Sequence, residues 1–217
     1  MIRAVVFDVG ETLIDETRIW TRWAERLGLT PLTMLGLVGA CAAQNLPVEA
    51  AFDLVSPGFD VAAAEAAWAG EDPDGLRNQF DADDLYPDVL PALTALRADG
   101  LRLVVAGNQP PSALAALRAL DLPVDEIRNS AEIGAEKPAP EFFAAVADLA
   151  GVPAEQVAYV GDRTDNDVLP AAAAGMVPLL IRRGPWGFLH ARRPEADRAH
   201  VVDSLLELPA LLRSLTG

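Results

Sequence analysis

Three short apolar runs, each ended at once by glycine or polar residues, constrain the fold of this chain more than any other feature. They cover residues 4–7, 101–106 and 157–160. Short, nearly continuous apolar runs rich in β-branched residues are typical of strands that are buried on both faces of a parallel sheet. We therefore predict three buried β-strands.

Helical segments rich in alanine and leucine alternate with these strands. The helical segments cover residues 89–97, 112–120, 140–149, 168–174 and 204–215, and further strand candidates cover residues 126–129, 178–181 and 200–202. Strands that alternate with helices form a parallel sheet with helices on both faces. The expected fold class is therefore α/β.

Residues 15–84 have a different character. They contain no β-rich run, and glycines and prolines divide them into about four helical segments. An insert at this point follows the carboxyl end of the first strand, where open α/β sheets bind their ligands. We expect a core domain of residues 1–14 and 85–217 and a small all-helical domain of residues 15–84.

The charge balance excludes several classes of partner. Asp and Glu number 32 against 17 Lys and Arg, so the chain repels nucleic-acid backbones and anionic lipid surfaces. No apolar run approaches the length that spans a bilayer, and the first residues lack the shape of a signal peptide. The single cysteine, Cys41, makes no internal disulfide. We expect a cytoplasmic protein that binds neither nucleic acid nor membranes.

Carboxylates follow two of the predicted strands at the edge where parallel strands end. Asp8 comes directly after the first run, and the third run leads into Asp162 and Asp167. Two acidic strand ends at one edge indicate a shared hard cation, and Mg²⁺ prefers oxygen ligands while it keeps several waters. The sequence therefore predicts a magnesium site.

Two further segments suit a phosphoryl group. Lys137 is followed by two prolines in residues 138–140, which restrict how its ammonium is presented. This ammonium is expected to neutralise the carboxylates and to bind a phosphoryl oxygen. Gly107 and Asn108 offer backbone and amide donors at the start of a helix, which is a natural site for an anion.

These four segments, in this order and spacing, resemble the four motifs of the haloacid dehalogenase superfamily of aspartyl-nucleophile hydrolases. The matching segments are residues 5–13, 107–108, 137–138 and 161–167. The helical insert is similar to the cap that members carry between the first and second motifs. The resemblance covers nearly the whole chain and implies a Rossmann-like core with a helical cap.

The resemblance also implies a role for each residue of the phosphate site. Asp8 would attack phosphorus to form an aspartyl-phosphate, and Lys137 would hold the nucleophile and the phosphoryl group in place. Gly107 and Asn108 would contact the phosphoryl group.

The metal site follows from the same resemblance. Asp8 and Asp162 would bind Mg²⁺ together with the backbone carbonyl of Gly10. Asp167 would orient the water shell of the metal, and Thr12 would support the loop that follows the nucleophile.

Two positions depart from the pattern of the family. Its phosphatases carry a second Asp two residues after the nucleophile to protonate the leaving group, and this chain has Gly10 there. General acid–base help is worth about 10²–10⁴-fold, so weak activity or a leaving group that needs no proton is expected, unless Glu11 substitutes. Gly107 stands where the family generally places Ser or Thr, so one donor to the phosphoryl group is lost.

The expected activity is Mg²⁺-dependent hydrolysis of a small phosphorylated metabolite. One alternative is a phosphate- or metabolite-binding member that has lost efficient turnover. Another is a haloacid dehalogenase, since those enzymes also lack the second Asp. They are metal-free, however, whereas the segment with Asp162 and Asp167 resembles the Mg²⁺-binding form.

Several remaining residues have simpler interpretations. Trp20 and Trp23 lie at helical spacing, so we expect them to pack the core of the helical insert. His190 has no partner at a spacing that indicates a catalytic triad or a zinc site. Arg182 and Arg183 follow the last central strand, where they offer an alternative means of attracting an anionic substrate.

Overall fold

Six parallel strands form one sheet in the order β3-β2-β1-β4-β5-β6 within the described residues, 1–215, of the computed structural model. The strands are Ala4–Phe7 (β1), Arg102–Gly107 (β2), Glu126–Asn129 (β3), Val157–Gly161 (β4), Val177–Ile181 (β5) and His200–Val202 (β6). Helices flank this sheet, which confirms the predicted α/β, Rossmann-like class.

The helices of the described residues include one in each of the five segments expected outside residues 15–84, although the last begins at Leu208 and not at residue 204. The sequence did not predict the helices Ser130–Ile133 and Gly184–His190. All these helices, in chain order, are Thr17–Arg26 (α1), Pro31–Gln44 (α2), Ala50–Val55 (α3), Val61–Glu71 (α4), Val89–Ala98 (α5), Pro111–Ala119 (α6), Ser130–Ile133 (α7), Pro140–Ala150 (α8), Leu169–Ala173 (α9), Gly184–His190 (α10) and Leu208–Ser214 (α11).

One expected helix, residues 168–174, begins differently. A wide π-helical turn, Thr164–Val168, precedes α9. The backbone N–H of Arg163 donates to Oδ2 of Asp167 at 3.0 Å, so a side chain satisfies a donor at the start of this turn. Single π turns of this kind are frequent at functional sites.

The register of the sheet brings the acidic strand ends to the same level. Phe7 on β1 pairs with Val105 on β2 and with Val160 on β4. The next backbone N–H, that of Asp8, still donates to the carbonyl of Val160 at 2.9 Å. Asp8 and the loop that begins at Asp162 therefore leave the sheet side by side.

The chain divides into two compact units. One contains Met1–Asp15 with the chain from Leu85 onward, and the other contains Glu16–Asp84. The first unit is held together where α8 buries Phe142 and Phe143 on the sheet, and the ring of Phe143 lies 5.2 Å from that of Tyr159.

The second unit has an aromatic core of its own. Trp20 and Trp23 are both buried, and the ring of Trp23 packs edge-on against Phe52 at 4.8 Å and against Trp68 at 5.1 Å. These two tryptophans therefore pack inside the helical unit, as their spacing predicts.

No single helix in the described part of the chain is long and apolar enough to cross a membrane. Only α1 and α2 taken together reach that length and composition, and they are bent by 117° relative to each other.

Phe143→Ala tests the packing of α8 on the sheet. We expect the free energy of unfolding to fall by about 3–5 kcal/mol, because the substitution leaves a cavity under the helix. Phe188→Ala is the matched control: Phe188 is 56% exposed, and its loss is expected to be below about 1 kcal/mol. Denaturant unfolding followed by circular dichroism measures both changes, and equal losses would contradict this description of the core.

Candidate active site

Three buried carboxylates meet at the carboxyl edge of the sheet. Asp8 follows β1, and Asp162 and Asp167 lie in the loop and turn that follow β4. One carboxylate oxygen from each residue lies within 4.8 Å of the other two. The structure therefore brings together three of the residues that the sequence predicts as metal ligands.

The ammonium of Lys137 joins this cluster. Its Nζ lies 2.8 Å from Oδ1 of Asp8 and 2.6 Å from Oδ1 of Asp167, and the side chain is buried. Burial by itself disfavours a charged ammonium, but the charges of Asp167 and Asp8 outweigh it and hold the pKa of Lys137 well above its usual range. Lys137 is therefore a fixed positive charge beside Asp8.

The three carboxylates can carry more negative charge than the ammonium of Lys137 balances. Burial raises the pKa of Asp162 well above its usual range, and the charges of Asp167 and Asp8 raise it further. Burial likewise raises the pKa of Asp167 to about 6, although Lys137 opposes that change. When all three carboxylates are ionised they exceed the ammonium by two negative charges. This all-oxygen donor set fits a hard divalent cation.

A glycine permits the position of Asp167. A Cβ added at Gly161 would lie 2.3 Å from Cγ of Asp167, so no other residue leaves room for this carboxylate at the end of β4. Asp167 also accepts the N–H of Arg163, as described above. The turn after β4 is thus built around the Asp167 carboxylate.

Gly107 has a similar relation to Asp8. A Cβ at Gly107 would lie 2.3 Å from Oδ1 of Asp8, the oxygen that contacts Lys137. The absence of a side chain at Gly107 therefore leaves room for this orientation of Asp8.

Asn108 has a task that its position in the sequence does not indicate. Its Nδ2 donates to the carbonyl of Lys137 at 2.9 Å, and its Oδ1 accepts the N–H of Lys137 at 2.8 Å. This reciprocal pair fixes the backbone that carries the ammonium.

Comparison with other proteins identifies the family of this chain. A family model described as haloacid dehalogenase-like hydrolase matches residues 2–175. The chain belongs to this family. The resemblance of the four sequence segments is thereby confirmed.

Individual relatives of this hydrolase share its sequence or its fold. It is 32% identical to a glyceraldehyde 3-phosphate phosphatase of Methanopyrus kandleri, with 99% of each chain covered. It is 36% identical to a phosphoglycolate phosphatase of Rhodospirillum rubrum over 52% of this chain and 46% of that protein. A solved hydrolase of the haloacid dehalogenase superfamily from Geobacter sulfurreducens has the same fold, with a TM-score of 0.65 at 19% identity over 97% of this chain and 96% of that chain.

The loop after Asp8 is tightly closed in this hydrolase. Gly10 forms an isolated bridge with Ile14, and the N–H of Leu13 donates to the carbonyl of Val9 at 2.8 Å. Thr12 is fully buried, and its hydroxyl has no hydrogen-bond partner among the described residues. The side chain of Thr12 thus lies in the interior of the protein.

Glu11 faces a defined set of neighbours. Its backbone is left-handed, with φ 50°, and the hydroxyl of Tyr86 donates to its Oε2 at 2.6 Å. A Cβ at Gly184 would lie 2.5 Å from Cγ of Glu11, so the glycine makes room for this side chain. The charge of Glu11 also contributes to the raised pKa of Asp162, which places its carboxylate within electrostatic reach of the acidic cluster.

The charged side chain of Arg183 contacts other residues of the core in this hydrolase. Its buried guanidinium pairs with Asp88, donates to the carbonyl of Thr12 at 2.8 Å and lies 4.2 Å from the ring centroid of Tyr86. Groups of the protein itself thus bind both terminal nitrogens of the Arg183 guanidinium.

Sequence reasoning missed two residues beside the acidic loops. Tyr86 contacts Glu11, and the fully buried His190 accepts the backbone N–H of Thr164 at 2.9 Å. No spacing in the sequence indicates either contact, because 75 residues separate Tyr86 from Glu11 and 26 separate His190 from Thr164.

Lys137→Met tests the electrostatics of the site in metal-free buffer. We expect the free energy of unfolding to fall by about 3–5 kcal/mol at pH 8, because buried carboxylates lose their partner. The loss is expected to be smaller at pH 5. Without the ammonium, the folded-state pKa values of Asp162 and Asp167 rise further. A carboxyl with a raised folded-state pKa destabilises the fold increasingly as pH rises from its unfolded-state pKa to the raised value, so less of the loss is present at pH 5 than at pH 8.

Denaturant unfolding with a chelator at both pH values measures this difference. The control is Arg118→Met, since Arg118 makes an exposed pair with Glu132 at 3.0 Å and is worth less than about 1 kcal/mol. A loss of the same size at pH 5 and pH 8 would contradict the assigned electrostatics.

Proposed function

We propose that this hydrolase is a Mg²⁺-dependent phosphatase that acts on a small phosphorylated metabolite through Asp8. The observation that carries the proposal is the buried Asp8 carboxylate at the end of a central strand, held 2.8 Å from Lys137. The two relatives described above, which are named as phosphatases of small phosphorylated compounds, support the same class of substrate.

Asp8 and Lys137 have different roles in the proposed phosphoryl transfer. A carboxylate oxygen of Asp8 attacks phosphorus, the bond to the leaving oxygen breaks, and water then hydrolyses the aspartyl-phosphate. The ammonium of Lys137 orients Asp8 and balances charge on the phosphoryl oxygens. Because both groups are already in place and shielded from bulk water, this stabilisation needs little reorganisation.

The carboxylates of Asp8 and Asp162 would hold Mg²⁺ together with the carbonyl of Gly10, and Asp167 would support it from its position beside Lys137. When bound, Mg²⁺ supplies a charge that stabilises the phosphoryl oxygens. The close approach of the three carboxylates and their two excess negative charges support this assignment.

The two units have separate parts in the proposal. Residues 1–14 and 85–217 form the catalytic core, and residues 15–84 form the cap domain. The independent aromatic core of the helical unit supports its treatment as a separate domain. Cys41 is buried in that unit, which fits a reducing compartment such as the cytoplasm.

Asp8→Asn tests the nucleophile. We expect Mg²⁺-dependent release of phosphate to fall by at least about 10³-fold, because an amide is a poor nucleophile for phosphorus. The matched control is Asp99→Asn, since Asp99 lies outside the site and pairs with Arg213. A panel of phosphomonoesters and an activated aryl phosphate serve as substrates.

The proposal fails if Asp8→Asn retains wild-type turnover, or if the wild type releases phosphate from none of these compounds. In the second case, tight binding of Mg²⁺ and of a phosphate analogue would identify a binding protein.

Gly10→Asp tests the missing proton donor. If no other group protonates the leaving oxygen, the new carboxyl is expected to raise turnover of alkyl phosphates by about 10²-fold and to leave the aryl phosphate almost unchanged. Gly10→Asn is the control of equal size, which transfers no proton.

Equal effects of Asp and Asn would show that the gain is not proton transfer. Fast turnover of alkyl phosphates by the wild type would instead make Glu11, held by Tyr86, the proton donor to examine with Glu11→Gln.

A further inference from the structure

The segment that follows β5 contacts both acidic loops, although it lies beyond residues 2–175, the part of the chain that the family model matches. Arg183, at its start, donates to the carbonyl of Thr12 in the loop after Asp8. His190, the last residue of α10, accepts the N–H of Thr164 in the loop after β4. One short helix with its preceding residue thus reaches the two chain segments that carry the carboxylates.

The contact of His190 defines the chemical state of its ring. The side chain is fully buried, Nδ1 lies 2.9 Å from the N of Thr164 and 3.0 Å from its Oγ1. A ring nitrogen that accepts a backbone N–H must have a free lone pair, so Nε2 carries the proton. Burial lowers the pKa of His190 to about 4, and the charge of Arg193 acts in the same direction, so the ring is neutral near pH 7.

The position of Thr164 gives this hydrogen bond its importance. Thr164 begins the π-helical turn that leads from Asp162 to Asp167. The first N–H groups of a helical turn have no partner within the turn. Arg163 uses the Asp167 carboxylate as its acceptor, and Thr164 uses His190. His190 therefore fixes the chain between the two carboxylates.

We propose that His190 is a positioning residue that sets the separation of Asp162 and Asp167 by holding the backbone N–H of Thr164. The inference rests on the proposed function in one respect, that this loop holds a cation. It does not depend on the substrate or on turnover.

Two substitutions separate the hydrogen bond from simple packing. In His190→Asn, the amide oxygen occupies roughly the place of Nδ1 and still accepts the N–H of Thr164. In His190→Leu, the volume is largely kept but the acceptor is lost. If His190→Leu does not fold, His190→Gln replaces it, since the oxygen of glutamine reaches the place of Nε2 instead of that of Nδ1.

The first measurement is hydrogen exchange at the Thr164 amide by NMR, without metal. The second is the affinity for Mg²⁺ by calorimetry, without substrate. In the variant that lacks the acceptor we expect Thr164 to exchange about tenfold faster and Mg²⁺ to bind about 10–100-fold more weakly. His190→Asn is expected to stay close to wild type in both measurements.

His200 provides the matched control, because it is exposed on β6. His200→Leu and His200→Asn are expected to change neither measurement. The proposal is overturned if His190→Leu leaves Thr164 protected and Mg²⁺ affinity unchanged, or if His190→Asn is as defective as His190→Leu. Neither measurement uses a phosphate ester, so a failure of the proposed phosphatase activity leaves this test intact.

Discussion

The ammonium of Lys137, buried between Asp8 and Asp167, is the interaction on which the arrangement of the site depends. Three carboxylates this close repel one another, and burial removes the water that would screen them. A compact ammonium fits between two carboxylates, whereas the planar guanidinium of arginine needs more room. Lys137 is the only lysine in the sequence, and the other 16 basic side chains besides histidine are arginines. The chain thus has lysine only at the point where a small buried charge is needed.

Glycine permits this concentration of charge. The spaces that a Cβ would fill at Gly107 and Gly161 hold the carboxylates of Asp8 and Asp167. The absence of a side chain at Gly107 gives Asp8 room to contact Lys137. Gly107 departs from the family pattern, and the sequence alone suggests that something is lost there. In the structure, the same glycine is part of how the site is packed.

The loops that carry the carboxylates are held from the C-terminal half of the core. Arg183 is buried with Asp88 and donates to the carbonyl of Thr12, while His190 accepts the N–H of Thr164. An unpaired buried backbone group lowers stability, and the contacts of Arg183 with Thr12 and of His190 with Thr164 each satisfy such a group in a loop. Arg183 and His190 thus hold these loops through hydrogen bonds to the loop backbone.

The sequence by itself determined the strands, the alternation with helices and the placement of Asp8 and Asp162, because buried parallel strands are continuous apolar runs and polar residues must appear where they end. It also determined that Lys137 belongs with them, through the motif resemblance. Only the tertiary structure decided the tasks of Asn108 and His190. Their partners are 29 and 26 residues away, and a polar side chain shows its partner only once the fold has brought the two together. The local sequence indicates which residues lie at the edge of the sheet. It does not indicate which distant side chain forms a hydrogen bond with a backbone group of a loop.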